Sequence, residues 1–291
     1  MRLIIKKIIH IFEYIVTLVL WKIFRIMPID LSSYIGGRLL SFVGRFLSVN
    51  NTVKKNLAKI LPDLTIAERD KIVLNMWDNL GRVIGELPHW SQISNENLKK
   101  RVEIEFPDGN EKILSAMSGV ICLSAHTGNW EIYCRVLNFL GIKFNLLYRP
   151  ANNIYVDNLI NKNRGYNSKL IKKGYLGVRQ ILKAIKNGEC VGMLVDQRTD
   201  DGVTVPFMNF SAKTTPAPAN LAIKYKAPLI MSRVIRTKGA NYKIQFYNPI
   251  EILESDDETS IMTKVNEVIG NWVRQYPEQW FWVHKRWGKN F

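Results

Sequence analysis

The residues best suited to chemistry lie in one stretch, His126-Thr127-Gly128-Asn129-Trp130-Glu131. A short apolar run, Gly119 to Cys122, precedes it and reads as the start of a buried strand. Trp130 to Leu140 follows with helical periodicity. A histidine thus stands where a strand ends, Gly128-Asn129 supply the turn, and a carboxylate falls in the first helical turn. Inside one helix a spacing of five would set the two side chains about 140° apart. With His126 in the loop and Glu131 on the helix, the chain can curl so that Glu131 meets a ring nitrogen of His126. Such a contact fixes the tautomer and makes the other nitrogen a better base. The same spacing also suits a loop histidine beside an ordinary helix-start acid.

Other chemistries find less support. No G-x-G-x-x-G opens a helix and no Walker loop is present, so nucleotide binding has no motif behind it. There is no G-x-S-x-G elbow, and Ser124 lies only two residues before His126, a poor geometry for a nucleophile and its base. His10, His89, His126 and His284 are far apart without an H-E-x-x-H, so neither a metal nor a cofactor is expected. Cys122, Cys134 and Cys190 are odd in number, lack C-x-x-C spacing and sit in apolar runs, which suits reduced core thiols in a cytosolic setting. Cys134 is better read as a small buried residue than as a nucleophile. The simplest chemistry for a His–Glu pair with no protein nucleophile to activate is deprotonation of a substrate hydroxyl, which then attacks an activated acyl carbon.

The elements that must hold these residues alternate. Strands are expected at Val102–Phe106, Val120–Ala125, Phe144–Tyr148, Glu189–Val195, Pro228–Ile235 and Tyr242–Tyr247. Helices are expected at Trp130–Leu140, Ile154–Asn163, Leu176–Lys186, Pro216–Lys226 and Thr259–Tyr276. This predicts an α/β domain with a mostly parallel central sheet flanked by helices. Active groups in such sheets gather at the carboxyl ends of strands. His126, Arg149 and Asp196 all fall at such ends.

Residues 28–100 read as mainly helical: a loop with Gly36-Gly37 and Gly44, a short helix at Thr52–Ile60, then a capping box at Thr65–Glu68 before a periodic run to Leu87. The chain divides into an N-terminal helix, residues 1–27, and a single domain over 28–291 whose part from 101 onward is catalytic. Ile8 to Trp21 is mostly apolar but interrupted by His10 and Glu13, with Lys6, Lys7, Lys22 and Arg25 at its flanks. It is shorter than the roughly 20 residues a spanning helix needs. Basic ends and internal aromatics favour a membrane anchor lying in or dipping into an interface, ahead of a buried N-terminal helix. No cleavage site follows it. The net charge of +16 favours a polyanionic partner, and the basic residues are scattered rather than gathered into a nucleic-acid arm.

The motif residues together resemble a known family. His126 to Glu131 is similar to the H-x-x-x-x-(D/E) motif of membrane acyltransferases, and the wording Gly128-Asn129-Trp130-Glu131 resembles the lipid A late acyltransferases in particular. Tyr148-Arg149-Pro150, Arg164, Asp196-Gln197, Val205-Pro206-Phe207, Thr214-Thr215 and Ala227-Pro228 resemble further blocks in the family's order. Pro277-Glu278-Gln279-Trp280 with Trp282, His284 and Arg286-Trp287 resembles its C-terminal signature. Met208-Asn209 departs from the Phe-Gly of many relatives, and Ser211-Ala212-Lys213 is not a close match; the first departure bears on chain-length preference.

The resemblance implies a glycerophospholipid-acyltransferase-like fold and transfer of a fatty acyl chain from acyl carrier protein to a hydroxyl of a phosphorylated lipid A precursor of the Kdo-lipid IVA type. It implies lipopolysaccharide biosynthesis at the inner membrane of a Gram-negative bacterium, with the catalytic domain on the cytoplasmic face and no role for nucleic acid. Another glycolipid or a lysophospholipid is the alternative acceptor. A non-enzymatic basic membrane- or nucleic-acid-binding protein is the third reading. Under the resemblance His126 is the general base, and Glu131 orients it and balances its charge. Arg164, then Arg149, stabilises the oxyanion, unless Arg164 binds acceptor phosphate. Asp196 joins the substrate site, and Asn129 and Trp130 complete the motif. The Trp-rich C-terminal stretch suits core packing best, with Trp280 and Trp282 on one strand face; an interfacial belt or a base-stacking surface are the alternatives.

Overall fold

The computed structural model describes residues 2–164, 168–288 and 291. Helices α1 (Arg2–Ile26), α2 (Ile29–Gly44), α3 (Asn50–Ile60), α4 (Ile66–Glu86) and α5 (Asn95–Arg101) come first. Then follow β1 (Val102–Glu105), β2 (Ile121–Ser124), α6 (Tyr133–Phe139), β3 (Phe144–Tyr148), α7 (Ile154–Arg164), β4 (Lys169–Lys172), α8 (Tyr175–Lys186) and β5 (Cys190–Leu194). The hairpin β6 (Val203–Phe207) and β7 (Phe210–Thr214), α9 (Ala217–Tyr225), β8 (Leu229–Arg236), β9 (Tyr242–Pro249) and α10 (Glu258–Gln275) complete the order.

Seven strands form one sheet in the order β1-β9-β8-β2-β5-β3-β4, parallel at every junction except β8 with β9. The expected α/β class is therefore found. Residues alternate between two cores because a strand sends successive side chains to opposite faces. Ile121, Leu123, Val191, Met193, Leu229 and Met231 pack with α8, α9 and α10 on one side. Cys122, Cys190 and Ile230 pack with α6 and Trp90 on the other. Strands covered on both faces read as continuous apolar runs, which is why β2 and β5 were legible. β5 returns between β2 and β3, so the carboxyl ends of three consecutive strands in the sheet meet at one crevice.

Three elements differ from the sequence expectation. The stretch with Gly36-Gly37 and Gly44 is not a loop but lies within α2. These glycines remove bulk instead of turning the chain: a Cβ on Gly36 would lie 2.4 Å from the Gly81 carbonyl oxygen of α4, and one on Gly81 would lie 2.1 Å from that of Gly36. β4 is short, polar and at the sheet edge, and gives no apolar run. The β6–β7 hairpin turns on Met208 and Asn209, both at positive φ, as a two-residue turn with left-handed central residues requires. Without an Asn-Gly or Asp-Gly pair the turn carries no sequence signal. The capping box at Thr65 and Glu68 forms as expected.

No helix among the described residues is long and apolar enough to cross a membrane. α1 is nonetheless exposed along much of its apolar length, including Ile8, Phe12, Ile15 and Val19, and α2 exposes Leu39, Phe42 and Val43. α1 packs on α7: Asn153, just before α7, donates its Nδ2–H to the His10 carbonyl at 2.7 Å and to Glu13 Oε2 at 2.9 Å, and Tyr14 meets Tyr155.

Candidate active site

His126 lies directly beyond β2, in a turn whose geometry depends on Gly128. That residue has φ of 57°, and a Cβ there would come within 2.4 Å of the Val234 carbonyl oxygen. The ring does not meet Glu131. Its Nδ1 lies 2.8 Å from Oδ1 of Asp196, beyond β5, and the His126 backbone N–H donates to Asp196 Oδ2 at 3.0 Å. The Trp280 indole N–H donates to the same Oδ2 at 2.8 Å. Burial alone would push the Asp196 carboxyl up. The His126 charge and these hydrogen bonds outweigh it and hold the group at about 2. An ionised carboxylate accepts only, so Nδ1 directs its N–H at Asp196 and Nε2 is the ring nitrogen that Asp196 does not engage. Nε2 stands 3.5 Å from the Gln197 amide nitrogen. Trp130 and Phe281 pack around the imidazole, their ring centroids 5.0 and 6.4 Å away.

Glu131 is engaged elsewhere. Arg164, at the end of α7, grips it in a two-pronged pair, Nε to Oε2 at 2.6 Å and Nη2 to Oε1, while the Trp130 indole donates to Oε1 at 3.0 Å. Burial pushes the Arg164 guanidinium down, but the Glu131 charge prevails and raises it, so the guanidinium stays charged. The expectation that Glu131 orients His126 is thus replaced: Asp196 takes that position, and Glu131 fixes Arg164. The reason is geometric. The short helical turn Trp130–Ile132 starts directly after Asn129, whose side-chain oxygen caps the Glu131 N–H, and this carries the carboxylate toward α7.

His126, Trp130, Glu131, Arg149 and Arg164 all line one cavity of about 400 Å³. It reaches under α6 to Cys122, Tyr133, Phe144, Gly192 and Ser232. Arg149 is exposed and makes no ion pair among the described residues. Neither Met208 nor Asn209 lines this cavity; Met208 lies against Gly270 of α10. Cys134 is buried and its thiol is pushed up to about 12, which removes it as a nucleophile.

Beneath the motif is a buried polar network. Asn129 donates from Nδ2 to Glu86 at 2.6 Å, Arg236 and the Tyr242 hydroxyl also bond Glu86, and Asn79 Nδ2 holds the Gly128 carbonyl at 3.0 Å. The C-terminal segment closes the turn from the other side, with the Gly128 N–H donating to the Gln279 carbonyl at 3.1 Å. Glu86, Arg236 and Gln279 had no role assigned from sequence. For Glu86 and Arg236 the available signal was a charge set among apolar residues at a helix or strand end; Gln279 stood within the C-terminal signature without a role of its own. Trp280 and Trp282 are buried, as core packing requires, though in a loop and not on a strand face.

Over residues 5–289 the chain matches the family described as bacterial lipid A biosynthesis acyltransferase. It is 24% identical over 265 residues to the lipid A biosynthesis palmitoleoyltransferase of Escherichia coli K12, covering 89% of this chain and 86% of that protein. It is 22% identical over 279 residues to the lipid A biosynthesis lauroyltransferase of the same organism, with 92% and 88% covered. To the lipid A biosynthesis acyltransferase of Haemophilus influenzae it is 23% identical over 282 residues, with 92% and 87% covered. With a match that spans nearly its whole length, the chain belongs to the bacterial lipid A biosynthesis acyltransferase family.

Proposed function

We propose that the protein transfers a fatty acyl chain from acyl carrier protein to a hydroxyl of a phosphorylated lipid A precursor of the Kdo-lipid IVA type, with His126 as general base. Membership of the family supports acyl transfer in lipid A biosynthesis. The observation that carries the mechanism is the contact of His126 Nδ1 with Asp196 Oδ1 at 2.8 Å in a ring that lines the cavity, which leaves Nε2 as the nitrogen for the substrate. Nε2 takes the proton of the acceptor hydroxyl as its oxygen attacks the thioester carbon. Asp196 stabilises the imidazolium that forms, and a base so placed contributes roughly 10²- to 10⁴-fold. The tetrahedral intermediate then expels the carrier thiol, which regains a proton from the imidazolium. Arg164, with Nη1 unbonded among the described residues, remains the first choice for the oxyanion, and Arg149 at the rim the second. Glu131 acts through Arg164 by holding its fork in place.

The apolar part of the cavity under α6 receives the acyl chain, and the exposed apolar lengths of α1 and α2 seat the protein on the cytoplasmic face of the inner membrane. The surplus of 16 positive charges suits both an acidic carrier protein and a phosphorylated acceptor.

The test is acyl transfer by membranes carrying the intact protein or His126→Ala, supplied with carrier protein loaded with mixed chain lengths and a tetra-acylated lipid A precursor. A single mass addition that falls at least 100-fold in the variant is expected, and its mass names the chain. Absence of addition by folded protein with every donor would overturn the lipid A reading, and equal addition by the variant would remove His126 as the base.

A further inference from the structure

The turn that carries His126 is gripped by two asparagine side chains, and each of them is set by one member of a buried ion pair. Asn129 bonds in two directions: its Nδ2–H donates to Glu86 Oε2 at 2.6 Å, and its Oδ1 accepts the Glu131 N–H at 3.1 Å. Asn79 does likewise, its Oδ1 accepting from Arg236 Nε at 2.8 Å and its Nδ2–H donating to the Gly128 carbonyl at 3.0 Å. Arg236 closes the arrangement by donating to Glu86. Asn79 and Glu86 stand two turns apart on one face of α4, and Arg236 ends β8. Glu86 and Asn129 are wholly buried, Asn79 and the Arg236 side chain nearly so.

The two ends of a side-chain amide have nearly the same shape, so packing alone does not choose which way round it lies. A charged neighbour does. A carboxylate only accepts, so Glu86 requires the NH2 of Asn129; a guanidinium only donates, so Arg236 requires the oxygen of Asn79. The end that remains on each amide then has the polarity the backbone needs, an oxygen for the Glu131 N–H and an NH2 for the Gly128 carbonyl. Reversed, Asn129 would set donor against donor where the helical turn begins, and Asn79 acceptor against acceptor. Each reversal would leave a buried backbone group unpaired. A buried ion pair is a weak source of net stability, and its best-attested use is to select one arrangement among several.

We propose that Glu86 and Arg236 are positioning residues: their ion pair fixes the direction of the Asn129 and Asn79 amides, which in turn hold Gly128 and Glu131. His126 on one side of this grip, and the Glu131–Arg164 fork on the other, thereby keep their places at the cavity. Glu86, Arg236, Asn79 and Asn129 do not line that cavity, so they act on the reaction through the turn. The effect on rate rests on the acyl-transfer reading above, whereas the direction of the two amides does not.

The test moves the carboxylate across the contact. In Glu86→Gln the partner of Asn129 can both donate and accept, so the amide loses its imposed direction; in Asn129→Asp two carboxylates meet. Combined in one chain, the new amide donates to the new carboxylate, whose other oxygen accepts the Glu131 N–H as before. Hydrogen exchange of the Glu131 N–H is measured in the full-length, isotope-labelled protein, and kcat and KM in the mass-shift assay. In each single variant exchange is expected to be roughly tenfold faster and kcat about 10- to 100-fold lower, with KM little changed. In the double variant both are expected to return to within about threefold of the wild type. Losses that add in the double variant, with the proteins folded, overturn the proposal and leave the ion pair a structural one. Wild-type exchange and kcat in Glu86→Gln also overturn it. If Glu86→Gln does not fold, Asn129→Asp and the double variant carry the comparison, and a double variant no better than Asn129→Asp overturns the proposal. Exchange that follows the expected pattern in a wild-type protein inactive with every donor would sink the acyl-transfer reading and leave the direction of the amides standing.

Discussion

Two carboxylates flank the same histidine motif, and they do different work. Asp196 comes from 70 residues away in sequence, is almost wholly buried, and accepts from the His126 ring, the His126 backbone and Trp280. Glu131 is five residues from His126 and gives its oxygens to Arg164 and Trp130. The acid close in sequence is held away from the ring by the turn between them, and the acid next to it in space is delivered by the neighbouring strand. One couple engages the His126 ring; the other fixes the Arg164 guanidinium.

The sharpest way to break this contrast is Asp196→Asn. With no carboxylate to receive the Nδ1 proton the ring loses its favoured tautomer, and kcat is expected to fall by about 10²- to 10⁴-fold, read in the same mass-shift assay. A variant within threefold of the wild type would mean that Asp196 does not set the tautomer.

Glu131→Gln should act mainly through stability. It leaves the largely buried Arg164 without its counter-charge, at a cost of about 3 kcal/mol. A lowered melting temperature is expected, with partial recovery in Glu131→Gln combined with Arg164→Met. A fall in kcat as deep as that of Asp196→Asn, with melting unchanged, would mean that Glu131 serves the reaction through Arg164 and not the stability of the fold.

The smallest effect is one of pH. Asp196 has its folded value held at about 2, below an ordinary value of 3.8. A depressed carboxyl contributes stability that is fully present above the ordinary value and is lost as pH falls through the folded one. About 2 kcal/mol should therefore disappear between roughly pH 4 and pH 2. Denaturant midpoints of the wild type should show this loss and those of Asp196→Asn should not. Equal slopes in the two proteins would contradict it.

Legibility in the sequence followed the range of the interaction. β2, β5 and α10 were readable because burial on both faces of the sheet or along one face of a helix writes a local pattern. The α2–α4 contact was hidden because its signal, glycines at 36, 81 and 85, reads as loop unless the opposing helix is known. The His126–Asp196 pair was half legible. Both were placed at strand ends, but that β5 inserts beside β2 is a matter of strand order, which no local pattern records. Glu86 and Arg236 were hidden for the same reason: a buried ion pair joined across 150 residues looks, at each end, like an ordinary surface charge.

Asn153 joins the carbonyl and carboxylate of α1 to the first turn of α7, and α7 ends at Arg164. The exposed apolar length of α1 and the mouth of the cavity therefore share one rigid support. Whatever plane α1 comes to rest in, the support fixes the height of Arg164 above it. On the membrane seating proposed above, α1 therefore works as a depth gauge, setting the level at which the cavity mouth meets the surface.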